Sequence, residues 1–334
     1  MDKMPEISVV VPVYKEEGNI KLFLNRIEPI LEKIGEYEII FCADPSPDST
    51  EQIIEKEIKR NTRISMIVFS RRFGQPQASM AGILNCNGKN CVVIDVDMQD
   101  PPEIIEQMHE KLQEGYEVVY AKRRSRKGET IPKLIISYIG YKIINRIADV
   151  HIPRNTGDFR IMTRRVIEHL RILNESHGFL RGLVAYIGLK QGFVEYNREQ
   201  RYSGKGNYNR FFGSLKIGLN GLVSYSNFLL SLSSLMGLII IGINFLIIMY
   251  MVITKLVLHH AYPTGIPAII CLVLFMGGIQ LISLGIIGEY LGRIYDEVKR
   301  RPKYIIDRIV NLKKSEYAGE VELQKQGEKI NVKV

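Results

Sequence analysis

Two stretches of the chain, 217–254 and 256–288, contain no Asp, Glu, Lys or Arg, and only Lys255 separates them. Each exceeds the roughly 20 apolar residues that cross the hydrocarbon core of a bilayer. At that length they predict two membrane-spanning helices, at about 228–252 and 267–290. The connector between them carries a single Lys, whereas Arg293, Lys299, Arg300, Arg301 and Lys303 follow the second span. The positive-inside rule then places both termini in the cytoplasm and the connector outside. The apolar run at 7–13 is too short, and too soon followed by charge, for a signal peptide. Residues 7–215, by contrast, mix charged and apolar side chains as a soluble domain does.

The chain has 334 residues and a formal net charge of +9. Such a surplus suits nucleic acid, anionic lipid or a phosphate-rich substrate. Spanning segments favour the last two, and no helix-turn-helix, zinc-finger or RNA-recognition pattern supports the first, so no nucleic-acid partner is expected. The four cysteines, Cys42, Cys86, Cys91 and Cys271, show no metal-site spacing and read as thiols of a reducing compartment.

The first 120 residues alternate β-rich apolar runs (7–13, 37–43, 64–70, 91–94, 116–121) with helical stretches. The segment after the first run repeats Leu22, Phe23, Ile27, Ile30, Leu31 and Ile34 at helical spacing. This order predicts an α/β domain with a mainly parallel, Rossmann-like sheet, whose ligands sit at the carboxyl ends of the strands. Further on, 130–150 shows a helical period with basic and apolar faces. Residues 208–227 read as an amphipathic helix at the membrane surface. The expected organisation is a cytoplasmic domain at 1–207, the juxtamembrane helix at 208–227, two spans at 228–292, and a basic cytoplasmic tail at 293–334.

The sharpest chemical signal is Asp95-Val96-Asp97-Met98-Gln99-Asp100, directly after an apolar strand. Carboxylates at i and i+2 on a turn leaving a strand can face one cation. Mg²⁺ or Mn²⁺ takes such hard oxygens and shares its shell with substrate phosphates. A solvated acidic turn is the competing interpretation of so short a motif. Asp44 ends the second strand where no helix needs a cap, and Asp48 follows as a candidate N-cap. Neither a G-x-G-x-x-G nor a G-x-x-x-x-G-K-[ST] loop is present, so a metal rather than a glycine-rich cradle would hold a nucleotide diphosphate.

The strand Ile7–Val13 continuing into Tyr14-Lys15-Glu16-Glu17, the strand-end Asp44, and the acidic turn with Pro101-Pro102-Glu103 resemble glycosyltransferase family 2 and its GT-A fold. Ser70-Arg71-Arg72-Phe73-Gly74-Gln75, Asn155-Thr156-Gly157-Asp158-Phe159-Arg160 and Gly288-Glu289-Tyr290-Leu291-Gly292-Arg293 narrow the likeness. They are similar to the polyisoprenyl-phosphate glycosyltransferases, which include dolichyl-phosphate mannose synthase, and in particular to bacterial bactoprenol (undecaprenyl-phosphate) glucosyltransferases of O-antigen modification. The likeness runs from about residue 6 to 310.

The resemblance implies an inverting, metal-dependent transfer of a hexose, with glucose from UDP-glucose expected, to undecaprenyl phosphate. It implies a multi-pass protein of the bacterial inner membrane and favours a homo-oligomer, a tetramer. It places Pro12, Tyr14, Glu16, Asp44 and Asp95 at the nucleotide sugar, with Arg201 and Lys205 on its phosphates. Asp95, Asp97 and Gln99 would hold Mg²⁺ or Mn²⁺. Asp158 and Arg160 would be catalytic, Asp158 beside the sugar and Arg160 on phosphate. Arg123, Lys133 and Ser137 would receive the lipid phosphate. The chain departs from the family at Ala43, where an Asp is usual, and at Gly206-Asn207, where a Ser/Thr-Lys pair is usual. A non-catalytic membrane scaffold or lipid carrier retaining the fold is the alternative from another class.

Overall fold

The computed structural model describes residues 4–124, 156–173, 175, 180–199 and 265–313, with scattered positions between 239 and 253. The chain divides into two compact units: Met1–Tyr141, Val150–Arg210 and Pro302–Val334 form one, and Lys142–Asp149 with Phe211–Arg301 the other.

In the first unit β1 (Ile7–Val13), α1 (Ile20–Ile34), β2 (Tyr37–Ala43), α2 (Thr50–Arg60), β3 (Ile64–Phe69), α3 (Gln75–Asn85), β4 (Asn90–Val93), α4 (Ile104–Gln113) and β5 (Val118–Arg123) alternate. β6 (Thr156–Thr163), α5 (Arg164–Ile172), α6 (Leu180–Ile187) and β7 (Gln191–Tyr196) follow. The sheet order is β7-β5-β6-β4-β1-β2-β3-β8, where β8 is Ile306–Val310. β1 pairs parallel with β2 and β4, β2 with β3, and β5 with β7. β6 is antiparallel to β4 and β5, and β8 to β3.

The apolar run of β1, interrupted only by Ser8, follows from its central position, since a strand buried on both faces has no polar side. Val9, Val11 and Val13 pack with Phe23, Ile27 and Leu31 of α1 and with α2 and α4. Val10 faces the other layer, with Ala81 and Ile83 of α3 and Val166 and Leu170 of α5.

Pro12 is a proline in a central strand, where a missing N–H ordinarily breaks the ladder. Here the last β1–β4 pair is Val10 with Val93. Val13 O accepts from Asp44 on the β2 side and Val10 O accepts from Ile94 on the β4 side. By that alternation the Pro12 nitrogen faces the β4 side, beyond the end of that ladder, and no bond is lost. β1 and β4 part at this point. It is also where the winding reverses: β2 and β3 are added to one side of β1, and α3 carries the chain to β4 on the other. Open α/β sheets bind ligands at such a crevice.

Within 293–334, the stretch expected as a basic cytoplasmic tail, the structure describes residues up to 313. Residues 306–310 form β8, an edge strand of the sheet, with Arg308 paired to Glu51 and Glu55 of α2. Its sequence, Ile-Asp-Arg-Ile-Val, shows neither period clearly. In the second unit α7 runs Ile266–Lys299, past the expected end near residue 290. Phe275–Lys299 is long and apolar enough to cross a membrane, and no other helix among the described residues is. The expected first span lies largely outside the described residues; those positions described between 239 and 253 are helical. The amphipathic stretches at 130–150 and 208–227 lie outside them.

Candidate functional site

The acidic turn is shaped by one buried apolar anchor. Val96 is enclosed (2% exposed), and Asp95 and Asp97 flank it just beyond β4, Asp95 half-buried and Asp97 buried. Met98 adopts a left-handed conformation (φ 61°), which costs a non-glycine residue roughly 1–3 kcal/mol and is typical of functional turns. The turn is closed by Gln99 N–H donating to Asp97 Oδ1 at 3.1 Å. Gln99 offers its backbone carbonyl to Glu199 N–H (3.0 Å), which ties the turn to the segment after β7. Arg26 secures that segment by bridging Glu103 and Glu199.

Because β6 is antiparallel, its first residues lie at the carboxyl end of β4. Asp158 therefore joins Asp95, Asp97 and Asp100 by topology. Burial, and then the charges of Asp100, Asp158 and Asp97, push the Asp95 carboxyl up to about 8, with Arg198 pulling the other way. Burial also acts to raise Asp158, but Arg181 and Arg160 outweigh it and hold that carboxyl below its ordinary range. Arg181 Nε lies 2.9 Å from Asp158 Oδ1, and Arg160 lies 3.5 Å from the same oxygen.

Asp100 is the centre of a second cluster. The Tyr196 hydroxyl donates to it, with Arg123 at 3.7 Å and Arg198 at 3.8 Å. Arg123 Nε also donates to Tyr196 Oη (3.1 Å). Gly157 permits this arrangement, since a Cβ there would stand 3.1 Å from the Arg123 guanidinium.

Arg160 departs from its expected role on phosphate. It is 0% exposed, donates to the carbonyls of Asp158 and Gly157, and lies over the Tyr120 ring. A side chain with no surface cannot touch a soluble ligand, so in this structure Arg160 shapes the start of β6. Asp44 is likewise engaged: its two oxygens accept Phe73 N–H and Gly74 N–H, each at 2.9 Å. Pro12 is buried in β1, and Tyr14 carries the Arg72 guanidinium 3.9 Å over its ring. Glu16 accepts from Asn19 and closes the turn before α1, and its N–H donates to Thr50. Asp48 accepts from the Thr50 backbone and hydroxyl one residue ahead of the N-cap position, which is Ser49 and makes no side-chain cap bond. Lys15, Glu16, Glu17, Gly18, Asn19, Pro47 and Asp48 line an open depression beside these turns.

Lys133, Ser137, Arg201 and Lys205 lie outside the described residues. Sequence reasoning missed Gln75, Tyr196 and Arg181, and gave Asp100 no role. Asp100 was visible as the third carboxylate of the turn. Nothing local marks Arg181, whose partner is 23 residues away.

Among the described residues, no three His, Cys, Asp or Glu side chains converge as a metal-binding group. Mg²⁺ and Mn²⁺ need fewer, because one or two carboxylates plus substrate phosphates complete their shell. Asp95 and Asp97 supply hard oxygens, and Asp100, Asp158 and Asp97, which after burial push the Asp95 carboxyl up, gather excess negative charge there. A divalent cation neutralises such charge, so the residues fit one.

A mainly parallel α/β sheet with a carboxylate turn at its reversal point defines a GT-A-like domain. The chain belongs to glycosyl transferase family 2, whose model matches residues 8–171. It is 40% identical over 309 residues to the uncharacterized glycosyltransferase YkcC of Bacillus subtilis, covering 92% of this chain and 95% of that one. It is 38% identical over 304 residues to the SfII prophage-derived bactoprenol glucosyl transferase of Shigella flexneri, covering 91% and 98%. Among solved structures it is similar to glucosyl-3-phosphoglycerate synthase from Mycobacterium tuberculosis, determined with Mn²⁺, UDP and phosphoglyceric acid. That match has 19% identity and a TM-score of 0.43, over 66% of this chain and 76% of that one.

Proposed function

We propose that the protein transfers glucose from UDP-glucose to undecaprenyl phosphate at the cytoplasmic face of the bacterial inner membrane. The product would be a lipid-linked sugar for modification of cell-surface polysaccharide. The observation that carries this is the carboxylate turn at the β1–β4 crevice, in a chain that covers 98% of a relative named as a bactoprenol glucosyl transferase.

The phosphate of the lipid is already anionic at neutral pH. Its oxygen attacks the anomeric carbon while the bond from that carbon to the diphosphate breaks, so a single displacement inverts the configuration and UDP leaves. Little deprotonation is needed; alignment and stabilisation of the leaving diphosphate dominate the barrier. Asp95, Asp97 and Gln99 would hold Mg²⁺ or Mn²⁺, which when bound neutralises charge on the diphosphate. Tyr14, Pro12 and Glu16 form the floor beside the nucleotide. Asp158, ionised and held by Arg181, orients the sugar. Arg123 presents positive charge for the lipid phosphate, with Lys133 and Ser137 beside it, and Arg201 and Lys205 serve the donor phosphates. A homo-oligomer, by resemblance a tetramer, is the expected assembly.

The test is transfer of labelled sugar from a panel of UDP- and GDP-sugars into organic-extractable lipid by purified protein. Undecaprenyl phosphate and Mn²⁺ or Mg²⁺ are supplied. Cation-dependent label from UDP-glucose is expected, with a loss of at least a hundredfold in Asp97→Ala, since metal and electrostatic groups supply several kcal/mol. No transfer from any donor by folded protein would favour a non-catalytic scaffold.

A further inference from the structure

Between β3 and α3 the chain reaches three parts of the site in six residues. The Asp44 carboxylate fixes the backbone at Phe73 and Gly74, and Gly74 takes a left-handed φ of 90° that a side chain would resist. Arg72 covers the Tyr14 ring at 3.9 Å. Gln75 Nε2 donates to Asp95 Oδ1 at 2.7 Å. The loop is also anchored by the residues just before β8: Ser70 N–H donates to Ile305 O at 3.0 Å. The Phe69 ring meets Tyr304 at 5.9 Å and Phe73 at 6.1 Å, both edge-on.

We propose that Gln75 is a positioning residue for Asp95, and that the 70–75 loop, clamped by Asp44 and by Tyr304, delivers it. Asp95 stands among Asp97, Asp100 and Asp158, and like charge favours rotamers that turn it away from them. A neutral amide donor on Oδ1 fixes the rotamer and leaves Oδ2 free. Neighbouring Pro76 sits in the first turn of α3, where its ring pre-sets the backbone next to Gln75. On this geometry Asp44 acts on the site through the loop, and the anchor just before β8 bears on the carboxylate turn through the same residues. The proposal rests on Asp95 being a cation ligand, as proposed above.

The experiment uses full-length, detergent-purified protein and reads free Mn²⁺ by electron paramagnetic resonance in the presence of UDP. Gln75→Ala and Gln75→Met, the second keeping length without a donor, are compared with the parent. A hydrogen bond to a charged group is commonly worth about a tenfold change in an equilibrium. Mn²⁺ affinity is therefore expected to fall about five- to tenfold in both variants. The Mn²⁺ concentration for half-maximal transfer should rise by the same factor, with kcat at saturating Mn²⁺ within about twofold and an unchanged unfolding midpoint. Unchanged Mn²⁺ affinity in both variants, or a defect confined to kcat at saturating Mn²⁺, overturns the positioning role. If the parent binds no Mn²⁺ with UDP while Gln75 variants still alter transfer, the cation role of Asp95 fails, and the proposal with it.

Discussion

At Asp158 the chemistry expected of a base and the chemistry the surroundings permit diverge. A general base works best when its pKa lies near the working pH. Arg181 and Arg160 prevail over burial and hold Asp158 below the ordinary carboxylate range, so it stays ionised and binds protons poorly at neutrality. Asp158→Asn is accordingly expected to slow transfer at least tenfold while keeping the parent's pH–rate profile between about pH 6 and 9. Loss of a limb of that profile would assign Asp158 a proton. The same depression has a consequence for stability. A carboxylate with a lowered folded pKa stabilises the fold above its unfolded pKa, and that contribution is lost as pH falls through the folded value. Asp158→Asn should therefore unfold more readily than the parent at pH 7 and approach it in acid. The resemblance placed Asp158 beside the sugar. It could not show Arg181, because a pairing made by tertiary packing leaves no local pattern.

The elements that were legible are those whose burial imposes one period. β1 to β5 and α1 fall within a few residues of their expected places, because the central strands are mostly apolar and α1 repeats at helical spacing. The later strands are not legible for physical reasons. β6 carries Asp158 and Arg160 inside an otherwise apolar run, and Arg160 is buried only because carbonyls and the Tyr120 ring receive it. β7 and β8 are edge strands with exposed charge, which blunts alternation. The departure at Ala43 also finds a place: it is buried against the β1 layer and leaves Asp44 to fix the loop. One close approach governs how α3 sits. A Cβ on Gly82 would lie 2.7 Å from Cys42 Sγ and closer still to Val10. Gly82→Ala must lift α3 from β1 and β2, and overpacking of this kind costs about 1–3 kcal/mol. A lowered unfolding midpoint is expected, and an unchanged one would mean that α3 is free to shift.

The whole molecule is constrained by β8. Strands hydrogen-bonded into one sheet lie on one side of any membrane, and β8 pairs with β3 from Met66–Val310 to Phe69–Ile306. The chain after α7 thus shares a compartment with residues 4–199. A path that leaves a compartment and returns crosses the bilayer an even number of times. If α7 crosses once, the segment between Glu199 and Gly265 crosses too, and its uncharged stretch is long enough to do so. By the positive-inside rule, Arg300, Arg301 and Lys303 after α7 favour the cytoplasmic side, which is the side proposed above. A single added cysteine at His260→Cys, in a background with the native cysteines replaced, should react with a membrane-impermeant maleimide in intact spheroplasts. One at Lys313→Cys should react only after the membrane is opened. Equal protection of both, with both labelled on opening, would mean that neither apolar segment spans and that α7 serves instead as a contact between proteins. Labelling of both from outside would invert the catalytic domain and remove its access to cytoplasmic nucleotide sugars.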